Sequence, residues 1–97
     1  MSIQYIKMIE FITEYLGSLV FIYIVLATGN AYAIGAALAL VIIVTSTVSQ
    51  GHINPAVTLT MTAAGKLPIS KTGYYILAQI LGGLSALAIY KMVHKKQ

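Results

Sequence analysis

Along most of this chain the apolar residues run continuously, without the alternation of a half-buried strand or the one-sided stripe of a soluble helix. Three such runs, 11–28, 31–48 and 73–92, come near the length that crosses a bilayer core at ~1.5 Å per residue. The pattern predicts three transmembrane helices, with limits at about 8–28, 31–49 and 71–93 once flanking residues are included. The break at Gly29-Asn30 is a tight polar turn, which makes the first two helices antiparallel neighbours. The second break is longer and polar, and it sets a loop and short helix over about 50–65.

Within that break, Ser49-Gln50-Gly51-His52-Ile53 leads into Asn54-Pro55-Ala56-Val57-Thr58. Asn is a favoured helix cap, and Pro is favoured at the first helical position, where its missing N–H costs nothing. A helix from Pro55 to Ala64 would end at Gly65, with Pro68 shortly after. Such a helix is ~15 Å long, half of the ~30 Å hydrocarbon core. A capping Asn accepts backbone N–H groups with its side-chain oxygen and keeps two N–H donors to point elsewhere. The helix behind it carries about half a positive elementary charge at that end, which attracts oxygen atoms and opposes cations. Irregular backbone just before the cap presents carbonyls, and at membrane depth these are tolerated only in protein or along a wet cavity. The arrangement points to a pore.

Composition narrows the chemistry. Of 97 residues, 59% are hydrophobic and 8% charged; there is no Cys, Trp, Asp or Arg. Disulfides and thiolate metal sites are therefore ruled out, and His52 and His94 lie too far apart in sequence to suggest a metal pair. No catalytic residue, cofactor or metal is expected. The net charge of +4 comes from scattered lysines, a pattern suited to a lipid surface rather than nucleic acid. Ala31-Tyr32-Ala33 imitates a signal-cleavage site. The apolar run before it exceeds the ~7–15 residues of a signal, and Glu10 and Glu14 stand where a signal is basic. With no internal repeat or linker, residues 1–97 read as one domain. A carboxylate such as Glu14 inside an apolar helix needs partners. It can snorkel to the interface, titrate during transport, or hold other polar groups.

Asn54-Pro55-Ala56, with Gly51-His52 before it and Val57-Thr58 after it, resembles the first signature loop of the aquaporin (major intrinsic protein) family. Glu14-Tyr15-Leu16-Gly17-Ser18 resembles the start of that family's first helix, and the stretch from Tyr75 through Ala78-Gln79 to Gly82-Gly83 its third. The three matches stand in family order across roughly residues 10–90. Two departures stand out: Gln50 replaces the usual Gly, and no second Asn-Pro-Ala followed by Arg occurs in the sequence.

The resemblance implies an all-α membrane fold of three transmembrane helices and one re-entrant half-helix. It implies that Glu14, His52 and Gln79 brace the loop. It also implies that Phe21, Leu38, Gly51, His52 and Ile53 line the channel beside Asn54, Pro55 and Ala56, and that Ile34 and Val57 build the narrow ring. Tyr74, Tyr75 and Tyr90 read as interfacial belt residues, and Gly17, Gly82 and Gly83 as sites of close helix approach.

A lone half-helix ending at mid-membrane would leave backbone N–H groups unpaired, at several kcal/mol each. The family meets it with an inverted second half. Here an inverted second copy of the chain would do so, bringing two Asn54 side chains together, with a tetramer of such dimers as a further step. Lys7, Lys66 and Lys71 fall on one face, and Lys91, Lys95 and Lys96 on the other; this even balance sets no firm orientation. The expected function is passive passage of water or small neutral solutes such as glycerol. The alternatives are a small dual-topology exporter that couples to protons through Glu14, and a non-conducting membrane scaffold.

Overall fold

The computed structural model of the chain describes residues 1–95; Lys96, counted above in the lysine balance, lies outside the described residues. Four helices follow one another: α1 (Ile3–Thr28), α2 (Ala31–Ser49), α3 (Pro55–Ala63) and α4 (Ile69–Val93). Among the described residues there is no strand, and α1, α2 and α4 are each long and apolar enough to cross a membrane. At 26, 19 and 25 residues they extend about 39, 28 and 37 Å. The 9 residues of α3 reach only about 13 Å, a half-crossing.

The ends follow local chemistry. α1 begins at Ile3, ahead of its apolar run, because the Ser2 hydroxyl accepts the Tyr5 N–H and caps the first turn. Asn30 caps α2 through bonds from the Tyr32 and Ala33 N–H groups, both 3.0 Å. Asn54 caps α3, with Pro55 in its first turn. α3 ends one residue before the expected Ala64, which is itself the C-cap.

α1 and α4 form the tightest seam. A Cβ at Gly82 would strike the Tyr15 carbonyl and press on Ser18 and Leu19, so only glycine lets the two backbones approach this closely. The seam is also tied by polar links. The Tyr15 hydroxyl bonds Ser85 Oγ at 2.6 Å. Near the N-terminal face, Glu10 accepts from Lys71 Nζ and the Tyr74 hydroxyl, each at 2.7 Å. α2 packs on α1 through Val41, Thr45 and Ser49, one residue per turn, and meets α4 where the Tyr75 hydroxyl reaches Ser49. α3 packs on α4, where the Thr62 and Thr72 hydroxyls meet at 2.6 Å.

Candidate functional site: the loop before the half-helix

Between Ser49 and Pro55 the backbone reverses and re-enters the molecule. Gln50, Gly51 and Ile53 all have positive φ, at 69°, 62° and 61°. Glycine adopts this region freely, whereas Gln and above all β-branched Ile are held there at roughly 1–3 kcal/mol each. Such a conformation persists only where the surroundings impose it.

The surroundings are polar and buried. Glu14, fully enclosed, offers one oxygen to the Ser49 hydroxyl at 2.6 Å and the His52 N–H at 3.1 Å. Its other oxygen accepts the Ile53 N–H and Gln79 Nε2, both at 2.8 Å. All four directions of the carboxylate are thus taken by donors, three of them from Ser49, His52 and Ile53 at the loop. Ser18 Oγ donates to the Ile53 carbonyl at 3.3 Å, and the Tyr75 hydroxyl to the Ser49 carbonyl at 3.0 Å. The Ile53 side chain lies over Gly17, where an added Cβ would come within 2.7 Å of Ile53 Cδ1. Gly17 is therefore the floor on which the strained Ile53 rests.

A second set of bonds runs from Glu14 through Gln79 and Thr58 to His52 and Gln50. Glu14 only accepts, so Gln79 must present its nitrogen to it, and the other N–H of that nitrogen goes to Thr58 Oγ1 at 2.8 Å. The Gln79 oxygen is left buried without a partner among the described residues. Thr58 Oγ1 and His52 Nδ1 lie 2.9 Å apart, a pair in which either group can donate. On the other side of the ring Gln50 Oε1 only accepts, so His52 Nε2 carries a hydrogen and donates it at 3.3 Å. The ring rests against Tyr75 at 5.2 Å between centroids.

Beside this buried network lies the open side of the loop. Asn54 Oδ1 accepts the Ala56 N–H at 2.7 Å, and the residue is exposed. Its amide nitrogen is free to donate outward. The carbonyls of Gln50, Gly51 and His52 accept no hydrogen bond from the described residues, whereas those of Ser49, Ile53 and Asn54 are occupied. The free Asn54 donor and these three carbonyls, those of Gly51 and His52 on buried residues, fall within one five-residue stretch before a half-helix.

The structure gathers Glu14, Gly51, His52, Ile53, Asn54 and Gln79 into this one region. Pro55 is half-buried and Ala56 exposed in the first turn of α3; Phe21 and Leu38 are half-buried on α1 and α2. Val57 is 41% exposed. Ile34 lies in the first turn of α2, roughly 22 Å along the helix from Ser49 at ~1.5 Å per residue, and α2 does not touch α3. One copy of the chain therefore does not bring Ile34 and Val57 together.

Ser18, Ser49 and Thr58 had no role from sequence reasoning, yet all three are completely or almost completely buried in the network. Tyr75 corrects an expectation: it is 1% exposed and bonded to the loop, not an interfacial belt residue. A legible signal existed in the spacing of four that puts Glu10, Glu14 and Ser18 on one face of α1, and Tyr75 and Gln79 on one face of α4.

Comparison with known proteins places this geometry. Residues 2–97 match the family model described as major intrinsic protein. Over 105 residues the chain is 33% identical to a probable aquaporin PIP2-6 of Oryza sativa subsp. japonica, covering 89% of this chain and 37% of that protein. It is 46% identical over 67 residues to aquaglyceroporin-2 of Rhizophagus irregularis, covering 65% of this chain and 21% of the relative. It is 41% identical over 46 residues to aquaporin Z of Rhodopseudomonas palustris, covering 47% and 19%. The match thus spans little more than a third of the rice relative and about a fifth of the other two.

Proposed function

We propose, from the premise that this chain belongs to the major intrinsic protein family and is an integral, multi-pass membrane protein, that it forms a passive channel for water and small neutral solutes such as glycerol. One observation carries the proposal. The exposed amide of Asn54 and the row of unoccupied carbonyls from Gln50 to His52 together offer donors and acceptors at the N-terminus of a half-crossing helix. A molecule with an oxygen and a hydroxyl hydrogen can replace its hydration there, while the helix dipole opposes cations. The names of the relatives, aquaporin and aquaglyceroporin, support the same class of permeant.

The channel is closed by a second copy of the chain in inverted orientation. The exposed start of α3 needs a neighbour at mid-membrane. Ile34 of one copy can share a ring only with Val57 of another, because one copy holds them apart. In this assembly two Asn54 side chains face each other, and Glu14, His52 and Gln79 hold each loop in place. The narrow ring of Ile34 and Val57 is apolar, so it sorts solutes by width and wetting instead of by hydrogen bonds.

Stopped-flow swelling of liposomes containing only this chain tests the function. Water and glycerol should both pass, with flux independent of pH, and Asn54→Ala should reduce it sharply. Silent vesicles would favour a non-conducting scaffold. Proton-coupled flux would favour an exporter, a reading that sits poorly with a Glu14 whose two oxygens already receive four hydrogen bonds. Tags at either terminus should be reachable from both membrane faces; protection of one end in every molecule would replace the inverted dimer with a separate partner.

A further inference from the structure

We propose that the side-chain amide of Gln50 is a solute-recognition group at the mouth of the site, binding small polyols through its two N–H donors. The inference rests on the channel reading and adds to it a residue that selects among neutral solutes.

The orientation of this amide follows from its contact with His52. Gln50 Oε1 lies 3.3 Å from His52 Nε2, and an amide oxygen only accepts, so the ring nitrogen donates to it. The other ring nitrogen is held by Thr58 Oγ1, which Gln79 in turn ties to Glu14. The Gln50 oxygen is thus turned toward the protein and its NH₂ turned away, on a residue that is exposed.

The backbone position adds a second observation. Gln50 holds a positive φ of 69°, where Gly would sit without strain. Its side-chain bond to His52 is the only one it makes among the described residues, and at 3.3 Å that bond is too long to be the whole reason for a strained glutamine. The outward donors, on a residue whose own carbonyl is also free, give the residue a use that Gly cannot supply. A polyol can accept from the amide with one hydroxyl and donate to a carbonyl with the next. The apolar pair Ile34 and Val57 offers no such contact.

Two measurements test the proposal. In ¹⁵N-labelled wild-type protein in bilayers, solid-state NMR should find the His52 hydrogen on Nε2, and glycerol should shift the Gln50 side-chain amide signals saturably. In liposomes, Gln50→Met keeps the side chain's length without its donors. It should lower the glycerol-to-water permeability ratio by about threefold or more, the scale of one lost hydrogen bond. Gln50→Gly should lower the ratio similarly while raising the melting temperature, because the positive φ is relieved. The proposal is overturned by a His52 ring without a hydrogen on Nε2, by Gln50 amide signals indifferent to glycerol, or by unchanged ratios in both variants. If wild-type vesicles carry no flux, the channel reading fails by itself; the glycerol titration of the Gln50 amide then decides the present proposal, a saturable shift supporting it and an unmoved signal ending it.

Discussion

The two seams that α1 makes differ in kind. Against α4 it is joined along its length, with Glu10 bonded to Lys71 and Tyr74, Glu14 to Gln79, Tyr15 to Ser85, and Gly82 allowing backbone contact between them. Against α2 it has only Val41, Thr45 and Ser49 in line. On that side the two helices leave an apolar cleft of about 530 Å³, lined by residues such as Leu16, Val20, Leu40, Val44 and Val48. The first seam is complete within one chain. The second is closed only toward the loop end, where Val41 and Thr45 pack at Gly17 and Ser49 reaches Glu14, so α2 leaves most of its surface to lipid or another copy. In a membrane, where exclusion of apolar surface from water drives nothing, polar bonds and close packing separate a fixed seam from a loose one.

Removing the centre of the fixed region should have the largest effect. Glu14→Leu strands the Ser49, His52, Ile53 and Gln79 donors together. At about 1–3 kcal/mol for each buried unsatisfied group, the variant should not purify as a folded species, as judged by circular dichroism and size exclusion. Glu14→Gln retains an acceptor but turns an NH₂ toward existing donors, so it should fold with a clearly lowered melting temperature. A Glu14→Leu protein as stable as wild type would mean that the loop does not depend on the carboxylate.

Next in size is the backbone contact. Gly82→Ala pushes a methyl group into the Tyr15 carbonyl and should cost about 1–3 kcal/mol, the usual range for overpacking. Gly83→Ala would meet only Ile22 at an ordinary 3.7 Å and should be near neutral. Thermal unfolding of the pair in one detergent checks the contrast. Equal losses would show that this helix pair resists any substitution rather than that one contact.

The pair at the membrane face should matter less. Lys71 is only partly covered, with 31% of its side chain exposed, so Glu10→Gln should cost no more than about 1 kcal/mol. A drop as large as that of Gly82→Ala would move the seam's anchor from the helix crossing to its rim. The smallest effect belongs to the loose seam. Val44→Ala, on an exposed face of α2, should leave the folding of one copy within about 0.5 kcal/mol of wild type. A larger loss that depends on protein concentration would show that a second copy occupies the cleft.

Some of this was open to inspection in the sequence. Run lengths set three crossings and one half-crossing, since a helix's span depends only on its residue count. Ser2, Asn30 and Asn54 mark helix starts because a cap acts within three residues of itself. Polar residues four apart in an apolar helix, such as Glu10, Glu14 and Ser18, announce a buried polar face. They do not announce what that face meets.

The partners were decided by the tertiary structure. Glu14 meets Ile53 across 39 residues and Gln79 across 65, separations at which no local preference acts. Positive φ at Ile53 runs against what the residue type prefers, and it follows from Glu14 and Ser18 on another helix, whereas at Gln50 it belongs to the left-handed C-cap that ends α2. The burial of Tyr75 likewise follows from the loop folding back beneath it: an aromatic residue near a helix end favours the interface until a neighbouring segment covers it and gives its hydroxyl a carbonyl.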